Sequence, residues 1–368
     1  WKVFKKDQRK GRELDPKTFD EHESSCFKTS DHKEWRSFIE TGAVIIVPPK
    51  EASKIPADRV FKRSARWVRT NKNKDDPLGT EGLEPKSRLV IPGDVDPDGA
   101  KPIEQGGFRT DAPTAPQLAF RLLLSRAFRS RWRLNTFDVK TAFLSGEDQT
   151  RDIYVQPPRD GLPGVPRGSL LKLVKGVYGL KEAPRLWYLR ARQLIVGAGW
   201  TELATAKAVF VCRNPDGSLA GQMILHVDDA CFAGKGAAYG KAVNLLRKAL
   251  NIGKEEHSDF DFLGRHVHQN ADFSIEVDQH SYVKTLKPIH IPRECRNKPD
   301  DLVTPKELHE YRSLVGQLAW PARESMPPLS YSVSDLQQRV KDCKVSDLNA
   351  ANAALRLANQ MVGQNQKL

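Results

Sequence analysis

No apolar run in the 368 residues approaches the roughly 20 needed to cross a bilayer; Ala43 to Val47 and Leu122 to Leu124 are typical of the longest. No basic start leads into an apolar core and a small-residue cleavage site, so no secretory signal is expected. Cysteine is scarce. Cys26, Cys212, Cys231, Cys295 and Cys343 are odd in number and scattered, and no two stand at C-x-x-C spacing. That argues against a disulfide framework or a zinc ribbon and favours a reducing compartment. Acidic charge is in deficit: 59 Lys and Arg against 46 Asp and Glu leave a net +13. A polyanion is a reasonable partner, although a basic excess also serves plain solubility. The first residue is Trp1 rather than Met, so a piece of a longer polyprotein is expected.

What is present reads as a globular chain of two or three domains. Residues 1–29 are polar, with Lys5, Lys6, Arg9, Lys10 and Arg12 clustered, and are expected to form an arm or linker. Ser30 and Asp31 are N-cap types, and Trp35, Phe38 and Ile39 then share a helical face up to Gly42. Ala43 to Val47, Phe61 to Val68 and Arg88 to Ile91 read as strands, with residues 71–84 and 94–112 as polar loops. Helix is predicted over Ala115 to Arg129 and from Pro184 to Val196, and strand over Arg133 to Val139 and Leu170 to Val174. Phe210 to Arg213 and Gln222 to Val227 flank the Asn214-Pro215-Asp216-Gly217 turn, and Ala230 to Ala233 follows two acids. Helix over Ala237 to Leu250, strands over Phe260 to Val267 and Phe273 to Val277, and mainly helix from Pro305 complete the pass. Short turns between neighbouring strands predict an α+β fold on antiparallel sheet.

The chemistry sits in the acids. Asp138 ends a strand, which alone suggests a cap or turn residue. Asp228-Asp229, however, places two like charges together after an apolar run, a costly arrangement without a cation. Three carboxylates from two strand ends suit Mg²⁺, which takes hard oxygen ligands together with substrate phosphates. Two such ions can activate a 3′-hydroxyl and stabilise leaving pyrophosphate. Arg121, Arg126, Arg129, Arg131 and Arg133 form a basic run, either a solvated face or a track for a nucleic-acid backbone. Trp187 and Tyr188 read as core. His266 and His268 share a strand face, but two histidines without further ligands are not a zinc site.

An ordered series of motifs resembles the reverse transcriptase of copia-type LTR retrotransposons over roughly residues 30–360. Phe137-Asp138-Val139-Lys140-Thr141-Ala142-Phe143-Leu144-Ser145-Gly146 is similar to the first catalytic motif, and Ile153-Tyr154-Val155-Gln156-Pro157-Pro158 to the segment after it. The block from Leu171 to Tyr188 and His226-Val227-Asp228-Asp229, in the place of a YVDD box, follow. Phe262-Leu263-Gly264 and Tyr311-Arg312-Ser313-Leu314-Val315-Gly316 resemble later landmarks. Upstream, Trp67-Val68 and Lys86-Ser87-Arg88-Leu89-Val90 are similar to the fingers region.

The resemblance implies a right-hand polymerase fold: an arm over 1–29, fingers over 30–135, palm over 136–270, and a helical thumb and connection over 271–368, ending before any RNase H domain. It implies Asp138, Asp228 and Asp229 as catalytic acids and ligands of Mg²⁺ or Mn²⁺. Lys86 and Arg88 would contact the triphosphate, although a solvated strand face would look the same. Phe143 would be a steric gate against ribose, or else a core Phe. His226, where Tyr is usual, would support the primer end. Glu182, where Gln is common, would lie near the incoming dNTP and repel it. The implied partners are an RNA template, a DNA or RNA primer and dNTPs, with integrase and RNase H as polyprotein neighbours, a dimer as a further form, and no membrane. The implied location is the cytoplasm, inside a retrotransposon particle, or the nucleus. The alternative is a decayed remnant that binds nucleic acid without turnover.

Overall fold

Asp20 and Glu23 decide where the first helix begins. The Asp20 carboxylate accepts the Glu23 N–H at 2.7 Å, and the Glu23 carboxylate accepts the Asp20 N–H at 3.0 Å. This reciprocal cap satisfies two donors that would otherwise be orphaned. Helix α1 (Glu21–Glu40) therefore starts before the predicted Ser30–Asp31 cap, and the expected arm over 1–29 is helical from Glu21 on. Ser30 and Asp31 instead tie the helix to the strands that carry Arg69 and Ser87. Ser30 Oγ accepts the Ser87 N–H at 2.9 Å, and Asp31 forms an ion pair with Arg69 at 2.7 Å. The computed structural model describes residues 13–72, 82–363 and 366–367, so the basic cluster at 5–12 lies outside the described residues.

Strands β1 (Val44–Val47), β2 (Arg66–Asn71) and β3 (Pro85–Val90) come first, and then α2 (Gln117–Ser130) and β4 (Arg133–Val139). Next come β5 (Tyr154–Val155), β6 (Leu170–Leu173), α3 (Ala183–Gly197), β7 (Thr201–Leu203), β8 (Ala206–Arg213), β9 (Leu219–His226) and β10 (Asp229–Gly234). The chain continues through α4 (Ala237–Ala249), β11 (Ile252–His257), β12 (Asp259–Phe262), β13 (Arg265–Gln269) and β14 (Ile275–Asp278). Helices α5 (Pro305–Glu324), α6 (Ser330–Gln338) and α7 (Val345–Gln360) dominate the rest. The predicted strand over Phe260 to Val267 is in fact two strands. Leu263 and Gly264 both take positive φ (51° and 72°) and turn the chain into the β12–β13 hairpin.

The main sheet has strand order β11-β4-β10-β9-β8-β7, and its neighbours pair antiparallel. The α+β expectation with an antiparallel central sheet is met. Alternation along the strands gives this sheet two buried faces. Phe137, Phe210, Met223 and Phe232 point towards α3 and α4, whereas Leu134, Val209, Ile224 and Cys231 point towards α2 and the β12–β14 sheet. A third core joins α1, β1 and β3 to Leu144, Ile153, Leu171 and Leu173. The cores thus depart from a linear division at residue 135: the segment after the first acid packs back on the N-terminal unit. The helices from α5 on hold a core of their own, with Tyr311, Leu318, Leu348 and Leu355 buried. Among the described residues no helix is long and apolar enough to cross a membrane.

One close approach fixes the N-terminal unit against the centre. The Ile91 N–H donates to the Tyr178 carbonyl at 2.8 Å. A Cβ at Gly179, which holds φ +98°, would stand 2.0 Å from the Ile91 carbonyl, and one at Gly93 would stand 2.1 Å from the Gly179 carbonyl. Only glycine fits at either position.

Candidate active site

The site grows from a two-residue hairpin. His226 ends β9, Asp229 begins β10, and the two are register partners with Val227 and Asp228 at the tip. Val227 has φ +59°, whereas Asp228 does not share the positive φ. That is the pattern of a type II′ turn, which favours glycine at this position and is strained for a β-branched residue. Surrounding contacts hold the strain in place. The buried Trp187 indole N–H donates to the Val227 carbonyl at 2.6 Å, and the Val139 N–H donates to the Asp228 carbonyl at 2.9 Å. Trp187 is core, as expected, and its one polar atom also clamps the acid-bearing turn.

Asp138 is the register partner of Asp229 across the β4–β10 pair, so both side chains leave the same face of the sheet. Burial first, then the Asp228 and Asp138 charges, push the Asp229 carboxyl up to about 6. Asp228 is exposed. The Asp138 carboxylate accepts the Lys254 N–H and rests on Gly253, where any Cβ would lie 2.5 Å from its oxygen. Three oxygen donors whose charges already oppose one another suit a divalent cation. Among the described residues no three such ligands form a ready-made cage. An open site completed by substrate phosphates is how Mg²⁺ usually binds.

The β2–β3 hairpin supplies cations. Lys86 and Arg88 are opposite Thr70 and Val68 and so share one face of it. Burial, then Arg88 and Lys72, lower the Lys86 ammonium, while Glu34 and Asp228 pull it back. The Arg88 guanidinium lies 5.5 Å from the centre of the Tyr178 ring. Burial and Glu34 push the Tyr178 hydroxyl up to about 12, with Asp228 adding to the shift and Arg88 opposing it. Phe143 packs edge-on against the same ring at 5.5 Å and is half-buried. The structure therefore brings Lys86, Arg88, Phe143 and the acids into one electrostatic neighbourhood. Tyr178 and Glu34 belong to it too, although no pattern in the sequence singled them out.

Glu34 sits behind these cations, with its carboxylate 3.4 Å from the Leu89 N–H. Burial pushes its carboxyl up to about 7, and the opposing pull of the Leu89 N–H, Arg88 and Lys86 is too weak to cancel that. The folded state thus holds this proton more tightly than the unfolded chain, whose value is near 4.5. Its contribution to stability is fully present below about 4.5 and is lost as pH rises through 7. Urea unfolding at pH 5 and pH 8 should show wild type losing about 1–3 kcal/mol that Glu34→Gln keeps. Equal losses in both proteins would mean that Glu34 is solvated.

Glu182 requires a correction. Its carboxylate is not a free charge before a helix or beside a nucleotide pocket but is buried and hydrogen-bonded to Arg151. Arg151 also grips Asp96 at 2.9 Å and Asp98 at 3.0 Å, and it stacks 3.9 Å from the Phe108 ring. Arg59 and Lys101 reach Asp98 from the other side at 3.1 and 2.7 Å. Of the arginine run, Arg121 donates to the Arg323 carbonyl at 2.7 Å, Arg131 and Arg133 lie over Phe273, and Arg126 and Arg129 are exposed. His268 and His266 are paired with Asp259 and Asp261 across the β12–β13 hairpin.

The family match agrees with this geometry. A family model described as reverse transcriptase (RNA-dependent DNA polymerase) matches residues 51–291. The retrovirus-related Pol polyprotein from transposon RE2 of Arabidopsis thaliana is 27% identical over 84% of this chain, and the match spans 21% of that polyprotein. The putative transposon Ty5-1 protein of Saccharomyces cerevisiae is 27% identical, with 60% of this chain and 74% of that protein covered. Among solved structures, a foamy viral protease–reverse transcriptase in complex with double-stranded DNA matches with a TM-score of 0.41 and 12% identity, covering 91% of this chain and 48% of that one.

Proposed function

The chain belongs to the reverse transcriptase (RNA-dependent DNA polymerase) family, in the form found in copia-type Pol polyproteins, and on that premise we propose that it adds dNTPs to a primer 3′-end on an RNA or DNA template. The observation that carries the reading is the pairing of Asp138 opposite Asp229, with Asp228 at the adjoining tip. Asp138, Asp228 and Asp229 would hold the divalent ions, Mg²⁺ or in its place Mn²⁺. When bound, such ions supply the charge that lowers the 3′-hydroxyl's pKa and stabilises pyrophosphate. Lys86 and Arg88 neutralise the triphosphate, and the Arg88–Tyr178 contact orients that guanidinium. His226, at the end of β9, lies against the primer terminus.

In this reading the six-stranded sheet is the palm, the unit around α1 to β3 the fingers, and the helices from α5 the thumb. The polymerase works in the cytoplasm within a retrotransposon particle, beside integrase and RNase H of the same polyprotein. Extension of oligo(dT) on poly(rA) with Mg²⁺ or Mn²⁺ tests it. Tight binding of primer–template with no product under either ion would overturn it.

Phe143 acts as the sugar gate in this reading, which its ring contact with Tyr178, itself beside Arg88, supports. Phe143→Ala is expected to raise rNTP incorporation relative to dNTP by on the order of tenfold, with kcat for dNTPs changing less. A flat ratio in single-nucleotide incorporation would make Phe143 a packing residue only.

A further inference from the structure

Three groups close the outer edge of β3, and the middle one can carry a charge. Among the described residues β3 pairs with β2 alone, so the N–H groups along its other edge need partners from elsewhere. The Ser87 N–H donates to Ser30 Oγ at 2.9 Å and the Leu89 N–H to the Glu34 carboxylate at 3.4 Å; just past the strand, the Ile91 N–H donates to the Tyr178 carbonyl at 2.8 Å. Ser30 and Glu34 stand one turn apart on α1, a spacing that meets every second residue of a strand. The acceptors at 30 and 178 are neutral, and a neutral acceptor would serve at 34 as well. A half-buried carboxyl is instead tied to the residue after Arg88, where both Arg88 and Lys86 act on it.

The charged groups around Glu34 come from four places. Asp31 repels it from its own helix, and Lys86 and Arg88 attract it from β3. Tyr178 faces it beneath the Arg88 guanidinium, and Asp228, at the tip of the β9–β10 turn, acts on the same Lys86 and Tyr178. Glu34 and an incoming triphosphate therefore draw on the same two cations from different sides. We propose that Glu34 couples nucleotide binding to proton uptake: when the triphosphate of a dNTP takes Lys86 and Arg88, the Glu34 carboxylate binds a proton from solvent. It is a positioning residue that acts through the two cations without touching substrate. The inference rests on the polymerase reading for the triphosphate. In the nucleotide-free protein the Glu34 carboxyl already stands at about 7, so below that value it is protonated and costs the nucleotide nothing. As pH rises through 7 the carboxylate forms, the triphosphate must drive its protonation, and affinity falls.

The test is calorimetric titration of dTTP with Mg²⁺ into the whole chain bound to a primer–template whose primer ends in a dideoxynucleotide, so that binding is read without turnover. Two buffers of different ionisation enthalpy report the protons exchanged. Wild type should take up on the order of half a proton near pH 7.5 and lose about threefold to tenfold in affinity between pH 6 and pH 8.5. Glu34→Gln keeps an acceptor for the Leu89 N–H. It should lack that uptake, match wild type at pH 6, and bind dTTP about threefold to tenfold more tightly than wild type at pH 8.5. Loss of the Lys86 proton, which burial favours, is common to both proteins and drops out of their difference. In extension assays the change should lie in KM, with kcat little altered. Equal proton uptake in the two proteins, with dTTP bound by both, overturns the proposal and leaves the polymerase reading standing. A variant that shifts kcat and affinity alike at every pH also overturns it, since that is the mark of a structural role. A wild-type complex that binds no dTTP at any pH overturns the polymerase reading and the proposal together.

Discussion

Asp138→Asn, Asp228→Asn and Asp229→Asn should each cut primer extension on the order of 10³-fold or more while primer–template binding changes little. In the proposed mechanism each removes a hard anionic ligand at the point where charge develops. The structure adds a second expectation that separates lost chemistry from lost folding. Asp229 is held up to about 6, against an ordinary 3.8, first by burial and then by Asp228 and Asp138. A carboxyl whose native value is raised weighs against the fold once it is ionised, so the handicap is absent below about 3.8 and full above about 6. In metal-free buffer at pH 8, Asp229→Asn should therefore be more stable than wild type by about 1–2 kcal/mol, and the advantage should vanish near pH 4. Activity and stability move in opposite directions. A variant that lost both would point to a structural role for Asp229, and unimpaired turnover in Asp138→Asn would remove the metal assignment.

The hairpin carrying Asp228 and Asp229 was readable because apolar runs flank the two acids and each strand is contiguous in sequence. That Asp138 lies opposite Asp229 was not readable, since strand register between distant segments is set by packing on both sheet faces. The start of α1 carried a signal in Asp20 and Glu23. It was outweighed because only Phe27 among residues 21–30 is a large apolar residue, too few to show a period. The break at Leu263-Gly264 was hidden in the same way: an apolar Leu kept the strand pattern running through a turn. Glu182 failed for a different reason. Its place in the motif implied closeness to the incoming dNTP, whereas its partner is Arg151, and nothing local announces a pair of that separation.

That pair carries the last large effect. Asp96, Asp98 and Glu182 are all buried, and among the described residues Arg151 is the one cation hydrogen-bonded to all three. Burial raises the Asp98 carboxyl, but Lys101, Arg151 and Arg59 outweigh it and hold the group at about 2. Glu182 goes the other way: burial, helped by Asp96 and Asp98, raises it in spite of Arg151. The cluster thus needs its arginine more than it needs its glutamate. Arg151→Met should destabilise the protein by about 3–5 kcal/mol, because buried carboxylates lose their counter-charge. Glu182→Gln keeps an acceptor for Arg151 and removes the least favoured charge, so its cost should stay within about 1 kcal/mol. Adding Glu182→Gln to Arg151→Met should rescue little, since Asp96 still lacks its counter-charge and Asp98 is left to Arg59 and Lys101. With Glu182 neutralised by Arg151 in the wild type, Glu182→Gln should also leave the dNTP KM unchanged. A several-fold fall in KM would show that the carboxylate faces the nucleotide after all. Chemical denaturation of the three variants, read beside their steady-state kinetics, distinguishes a structural clamp under the loop over residues 92–112 from an electrostatic obstacle at the catalytic centre.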